Sequence, residues 1–178
     1  MLESPDADRG TGSSYDPERF DDFFLREYPR VLAVATALSG NRWAAEDLTQ
    51  EAFLAAHSDW DRLSRYEQPA AWVRRVVANK AVSTFRRRQA EARALTRWWL
   101  FDRTEVPDLS EIDPDFWRAV RSLPKRQAQV ITLFYLEDLA VEDVANILDV
   151  SPGTVKQHLH RGRETLARSM DVSPKEVP

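Results

Sequence analysis

Residues 141–167 read VEDVANILDVSPGTVKQHLHRGRETLA, and this stretch decides the fold. Val144, Ala145 and Leu148 give a first short helix one apolar face. Val150 plugs the corner that follows. Ser151 is a good N-cap for a second helix, because its hydroxyl can accept from an orphan N–H of the first turn, and Pro152 is preorganised at the first position. Val155, Leu159, Gly162 and Leu166 fall at i, i+4, i+7 and i+11, the spacing of a buried stripe. Gly162 lets a neighbouring helix approach closely. The pattern is two helices joined by a tight turn, a helix-turn-helix.

The opposite side of the second helix shows Gly153, Lys156, Gln157, His160 and Arg161. Lys and Arg can meet phosphates or guanine edges, and Gln can bond adenine. A recognition helix reads bases mainly from its N-terminal residues, and the donors concentrate there. An ordinary helical bundle with a charged outer face would share the composition but has no reason for that placement. His158 and His160 are two apart and point to different faces, which argues against a metal site. No Ser/His/Asp set, phosphate-binding Gly loop or paired-carboxylate motif stands out, so neither catalysis nor a cofactor is expected.

Working outward, nearly everything reads as helix. Asp16 and Pro17 can start a first helix with Phe20, Phe23, Phe24, Val31, Leu32, Ala35 and Leu38 at helical spacing. Pro29 should kink or interrupt it, and Ser39-Gly40-Asn41 stops it. A second helix follows from about Arg42 to Trp60, with Ala44, Leu48, Ala52, Ala55 and Ala56 on or near one side. After a break at Ser64 to Gln68, Pro69 suits the start of a third helix reaching about Arg88. Its Val73, Val76, Val77 and Val82 are mildly unfavourable in a helix, yet no hairpin signal supplies a partner strand. Asp113-Pro114 opens a second helical block, and Leu123-Pro124 separates its first helix from one reaching about Leu136.

The net charge of −4 argues against a generic DNA-coating protein, but the charge is segregated. Acid dominates up to Asp61, base from Arg62 to Arg103, acid from Glu105 to Asp115, and base from Lys156 to Arg168. Two basic patches suit two nucleic-acid contacts, with another partner for the acidic surfaces. Asp47, Gln50, Glu51 and Leu54 lie at i, i+3, i+4 and i+7, a face that fits either a basic, partly apolar protein groove or plain water. Arg75, Asn79, Ser83 and Arg86 share a stripe opposite the valines, and single-strand binding combines such cations with polar base contacts. Arg86, Arg87 and Arg88 also favour the helix macrodipole. No apolar run of membrane-spanning length occurs. Met1 to Ser14 lacks the basic and apolar regions of a secretory signal. The absence of cysteine fits a reducing cytoplasm.

With these residues in view, the chain resembles the extracytoplasmic-function (ECF) RNA polymerase sigma factors of the sigma-70 superfamily. The run from Leu123-Pro124 through Ser151-Pro152-Gly153-Thr154-Val155-Lys156 to His160-Arg161-Gly162-Arg163 looks like their promoter-reading domain four. Ala45-Glu46-Asp47-Leu48-Thr49-Gln50-Glu51-Ala52-Phe53 is similar to their polymerase-binding helix. Ala71-Trp72-Val73-Arg74-Arg75 through Asn79-Lys80-Ala81 to Arg86-Arg87-Arg88 looks like the helix that opens and reads the −10 element. The resemblance spans about Phe20 to Arg168.

It implies an all-α protein of two small domains joined by a flexible linker: a disordered 1–14, sigma domain 2 over 15–90, a linker over 91–112, sigma domain 4 over 113–170 and a tail over 171–178. It implies a non-enzymatic factor that binds core polymerase through its β′ and β subunits, reads −10 and −35 promoter DNA, answers to an anti-sigma factor and works in the cytoplasm without membrane insertion. Asp47, Gln50, Glu51 and Leu54 would bind core. Arg75, Asn79, Lys80, Ser83 and Arg86 would bind −10 DNA, a flipped base being captured beside the 64–68 loop with Asn79 beneath. Gly153, Thr154, Lys156, Gln157, His160 and Arg161 would bind −35 DNA. A conventional helix-turn-helix regulator that needs no polymerase is the rival reading, and it leaves Asp47 to Phe53 and the Asn79 stripe unexplained; a non-DNA interaction protein that decoys an anti-sigma factor is a second, and it predicts partner binding without transcription. Phe134 stands where relatives often carry Arg, Ala140 where they often carry a Ser or Thr cap, and Gln157 and His158 replace commoner residues. Trp98-Trp99-Leu100-Phe101, inside the linker, is read as packing against one domain rather than docking to a partner.

Overall fold

The computed structural model describes residues 19–94 and 114–170. The expected N-terminal segment with Asp16 and Pro17, the linker beyond Ala94 with Trp98 to Phe101, the Asp113 cap and the C-terminal tail lie outside the described residues; the helix expected from Pro69 to about Arg88 runs on to Ala94, into the start of the expected linker. Within them the elements are all helical: α1 Phe20–Ser39, α2 Arg42–Ser58, α3 Trp60–Leu63, α4 Pro69–Ala94, α5 Pro114–Ser122, α6 Lys125–Tyr135, α7 Val141–Leu148 and α8 Pro152–Met170. No described helix is long and apolar enough to cross a membrane.

Local chemistry sets most boundaries. Gly40 takes φ 66 at the end of α1 and donates its N–H back to the Thr36 carbonyl, a left-handed stop that a side chain disfavours. Asn41 then caps α2, its Oδ1 accepting from Ala44 N at 2.9 Å. Pro29 does not interrupt α1. Pro29 and Leu25 both lie on the exposed face, so the carbonyl that proline leaves without a helical donor meets water rather than core. The turn at Asp59 ends α2 two residues before the expected Trp60, which instead begins α3.

Helices α1 to α4 form the N-terminal unit. Ala45, Ala52 and Ala56 of α2 are fully buried, as are Phe23, Val31, Ala35, Leu63, Val73 and Val77 around them. Small residues on α2 let α1 and α4 come close, while Phe20, Phe24, Tyr28 and Trp60 seal one end as an aromatic cluster. Ala55, expected near this side, is exposed.

Helices α5 to α8 form the C-terminal unit, with Trp117, Leu123, Ile131, Leu133, Val144, Leu148, Val155, Leu159 and Leu166 inside. Each fully buried Leu or Ile contributes roughly 1.5–3 kcal/mol. A Cβ on Gly162 would stand 3.0 Å from Ile131 Cγ1, so glycine here sets how closely α8 packs on α6. The two units share one apolar cluster: Val34, Leu38, Leu48, Ala78, Ala81 and Val82 of the first pack with the core of the second.

Candidate nucleic-acid and polymerase interfaces

The helix-turn-helix has the expected form. Ser151 Oγ accepts from Thr154 N at 3.1 Å and caps α8. Val155, Leu159, Gly162 and Leu166 are buried, and Gly153, Lys156, Gln157, His160 and Arg161 are exposed, with Thr154 half-buried between them. Helix α8 thus presents its donor-rich first three turns to solvent. Ala140 begins α7 without a side-chain cap, and Glu142 and Asp143 in the first turn supply negative charge there instead. Phe134 is half-buried, with the Arg163 guanidinium 5.8 Å from its ring centre.

The histidines separate as expected. His160 faces outward, its Nε2 3.4 Å from Glu164 Oε1. His158 is half-buried, and burial, aided by the nearby Arg161 and Arg126 charges, holds its imidazole pKa below the ordinary value and favours the neutral ring. No His, Cys, Asp and Glu group suited to a metal occurs among the described residues.

On α2, Asp47, Gln50, Glu51 and Leu54 are all exposed. The structure adds a residue that the sequence reading passed over. Trp43 is 67% exposed, as is Leu54, and Trp43, Asp47, Gln50 and Leu54 fall at i, i+4, i+7 and i+11 on one stripe. Two apolar side chains therefore flank a carboxylate and an amide. A tryptophan one turn before the acidic motif was the available signal. Glu51 lies off this stripe, its carboxylate 2.8 Å from Lys80 Nζ.

Helix α4 brings Arg75, Asn79, Ser83 and Arg86 onto one face and turns Lys80 to another, toward α2. Every member of the four-residue stripe meets the C-terminal unit. Arg75 donates to the Ile147 carbonyl at 2.6 Å and the Asn146 carbonyl at 2.7 Å. Gln129 Nε2 donates to Asn79 Oδ1 and the Ala78 carbonyl, both at 3.0 Å. Lys125 Nζ reaches Ser83 Oγ at 3.3 Å, and Arg86 donates to the Leu123 carbonyl at 3.3 Å. Burial and the charges of Arg126 and Arg86 lower the Lys125 pKa. The groove beside the 64–68 loop is lined by Glu67 and Gln68 on one side and Leu139, Asp143 and Ile147 on the other, with Arg74 rather than Asn79 facing it.

Arg74 is itself buried between two carboxylates, 2.9 Å from Glu27 Oε2 and 2.7 Å from Glu137 Oε2. The Glu27 contact is an ion pair at hydrogen-bond distance without hydrogen-bond angles, whereas the Glu137 contact has both. Burial alone would raise the Glu27 pKa, but the hydrogen bond from Arg26 and the Arg74 charge outweigh it and lower the value.

Known families match in the same two blocks. The model described as Sigma-70 region 2 matches residues 23–91, and that described as Sigma-70, region 4 matches residues 115–166. The chain belongs to the extracytoplasmic-function sigma factors of the sigma-70 family. It is 25% identical to the ECF RNA polymerase sigma factor SigW of Bacillus subtilis, over 87% of this chain and 90% of that one. It is 31% identical to the sigma factor SigE of Mycolicibacterium smegmatis, over 88% of this chain and 63% of that one. Among solved structures it resembles the sigma factor RpoE of Bartonella quintana, crystallised in complex with the anti-sigma factor NepR, at 26% identity and a TM-score of 0.66, covering 86% of this chain and 98% of that one. As an ECF sigma factor the protein binds RNA polymerase and promoter DNA and directs transcription initiation; it is not an enzyme.

Proposed function

We propose that three surfaces divide the work of this sigma factor. The exposed α2 stripe of Trp43, Asp47, Gln50 and Leu54, with Glu51 beside it, docks on the polymerase β′ coiled coil. The α4 stripe of Arg75, Asn79, Ser83 and Arg86, with Lys80 at its flank, takes the melted −10 strand. The α8 face of Gly153, Thr154, Lys156, Gln157, His160 and Arg161 reads the −35 duplex. The observation that carries this division is the α8 geometry: a side-chain-capped helix whose donors cluster at its exposed N-terminal end, as major-groove reading requires.

No covalent chemistry belongs to this chain. Binding energy from α4 offsets unstacking, which costs on the order of a few kcal/mol per base. Domain 2 is assigned to 15–90 and domain 4 to 113–170, with 91–112 joining them, its first four residues continuing α4. The protein works in the cytoplasm beside the polymerase, and an anti-sigma factor is among its regulators; a solved relative that carries one supports this.

Run-off transcription with sigma-free core polymerase on sheared DNA from the source organism tests the division. Wild type should give new discrete transcripts. Asp47→Lys with Glu51→Lys should lose core binding, and Trp43→Ala should weaken it by about 2 kcal/mol, the scale of an interfacial aromatic anchor. Full retention of core affinity by both variants would refute the α2 assignment.

A further inference from the structure

We infer that Arg163 anchors a backbone phosphate beside the duplex that α8 reads, and that an aromatic corner on α6 holds it in place for that contact. The inference rests on the α8 assignment made above and adds a residue outside it. The Arg163 guanidinium stands 5.8 Å from the Phe134 ring centre and 5.3 Å from that of Tyr135, and its Nε donates to the Tyr135 hydroxyl. The two rings meet nearly at right angles with centroids 5.0 Å apart, so they form a corner. Ring faces attract a cation laid over them. Two ring faces and one hydrogen bond therefore fix a side chain that is only half-buried. Relatives often carry Arg at the Phe134 position, so the corner is particular to this chain.

Position and charge point to a phosphate. Lys156, His160 and Arg163 fall at i, i+4 and i+7 along one edge of α8, while Gln157, Arg161 and Glu164 fall at the same spacing along the next. The first edge ends in a cation and the second in a carboxylate, so phosphates are favoured on the Arg163 side. Side chains on a helix lean toward its N-terminus, which carries this guanidinium back toward the exposed donors of the first turns. Arg163 enters no ion pair among the described residues. Glu164, next along α8, faces His160, and Glu137, two residues beyond Tyr135, pairs with Arg74. A guanidinium has five N–H donors, and Tyr135 takes the Nε one. The rest can meet two oxygens of one phosphate at once. Such contacts set the register of a protein on the duplex without reading sequence. An arginine already held gives up less rotamer freedom when it binds.

The test uses holoenzyme rebuilt from core polymerase and the full-length chain. The probe is a fluorescein-labelled duplex carrying a promoter recovered by the run-off transcription described above. Arg163→Gln should bind core as wild type does. Its plot of log affinity against log salt should be shallower by about 0.9, the share of one phosphate. Taking the counterion contribution as zero at about 1 M salt, that slope makes binding about eightfold weaker at about 0.1 M. The same factor should appear on duplexes whose −35 bases are changed, and Arg163→Lys, which keeps the charge, should restore the slope. An unchanged slope in Arg163→Gln overturns the inference, and so does a loss that Arg163→Lys fails to restore.

Ethylating single phosphates beside the −35 element should find one position where the ethyl group weakens wild type and leaves Arg163→Gln unaffected; finding none overturns the anchor. Phe134→Leu keeps an apolar side chain but removes the ring. It should weaken duplex binding about two- to fivefold, the scale of an exposed cation–π contact, and do nothing further in Arg163→Gln. Equal losses in both backgrounds would overturn the role of the corner. Lys156→Ala with Arg161→Ala separates this inference from its premise. Full duplex affinity in that variant removes the α8 assignment itself, whereas a loss there beside an unchanged Arg163→Gln slope sinks the anchor alone.

Discussion

Helices α4 and α8 carry similar kit, arginine, lysine and a carboxamide on one face, and they hold it differently. On α8, Lys156, Gln157 and Arg161 stand in solvent, supported from behind by Val155, Leu159 and Leu166. On α4, Arg75, Asn79, Ser83 and Arg86 are each bonded to the other unit. Duplex grooves offer their acceptors ready-made, so a face that reads them can wait exposed. A melted strand exists only after polymerase has acted, and donors held for it are free to bond within the protein meanwhile. On the proposed assignment of a melted strand to α4 and a duplex to α8, availability of the ligand rather than residue type separates the two faces.

The largest effect should come from Arg74, which ties the two units beneath the α4 face. Arg74→Ala leaves the Glu27 and Glu137 carboxylates facing each other in a buried site, and breaking such a pair costs about 3–5 kcal/mol. Urea unfolding should show that loss; a change below about 1 kcal/mol, the range of exposed pairs, would mean the site is wet. Next, Lys156→Ala with Arg161→Ala should weaken −35 recognition by on the order of 1–3 kcal/mol per lost base contact. Because these side chains are exposed, the urea midpoint should stay put. A stability loss with promoter use unchanged would reverse the contrast between the two helices.

Smaller again, Ala140→Ser supplies the cap that α7 lacks and should stabilise the protein by about 1 kcal/mol. Since α7 also receives Arg75 at its other end, the gain should persist in Arg75→Ala if the two ends act independently. The smallest effect is acid sensitivity at α8. His158 has a folded pKa below its ordinary 6.5, so the unfolded chain binds more protons in that window. Stability should therefore decline as pH falls through 6.5 toward the folded value, and then level off. His158→Gln should flatten that segment of the stability–pH curve; an unaltered slope would place its source elsewhere. Glu27 acts at lower pH in the same direction, because its lowered pKa gives stability that protonation removes.

Much of this was legible in the sequence, for a reason that also marks where legibility ended. Helices α7 and α8 appear where Ser151, Pro152 and the i, i+4, i+7 stripe put them, because caps and periodicity are local. Gly162 could be read as a close contact because few other pressures keep glycine inside an exposed-to-buried helix. Pro29 misled: a missing N–H costs little when the orphaned carbonyl faces water, and sequence alone does not reveal which face that is. Trp43 passed unnoticed because a lone tryptophan reads as core. The bonds from Gln129 to Asn79 and from Arg75 to α7 join residues about fifty and seventy positions apart, and no period or motif announces a pairing at that range. The sequence reading found the α4 stripe, but its present partners came only from the fold.

The arginines that reach across the interface have a bearing on protein engineering. Arg75 finishes a helix belonging to the second unit, and Arg121 finishes one belonging to the first. Burial, with the neighbouring charge of Arg118, pulls the Arg121 pKa down to about 10, still high enough to keep it charged near neutrality. A Cβ at Gly40 would meet its guanidinium at 2.7 Å, so the seat is tailored on both sides. A hybrid that grafts the promoter-reading half of this protein onto a foreign front half would inherit one unfinished helix end and one arginine without a seat. Successful chimeras will need to carry Arg75, Gly40 and Arg121 across the splice together, as a single inherited trait.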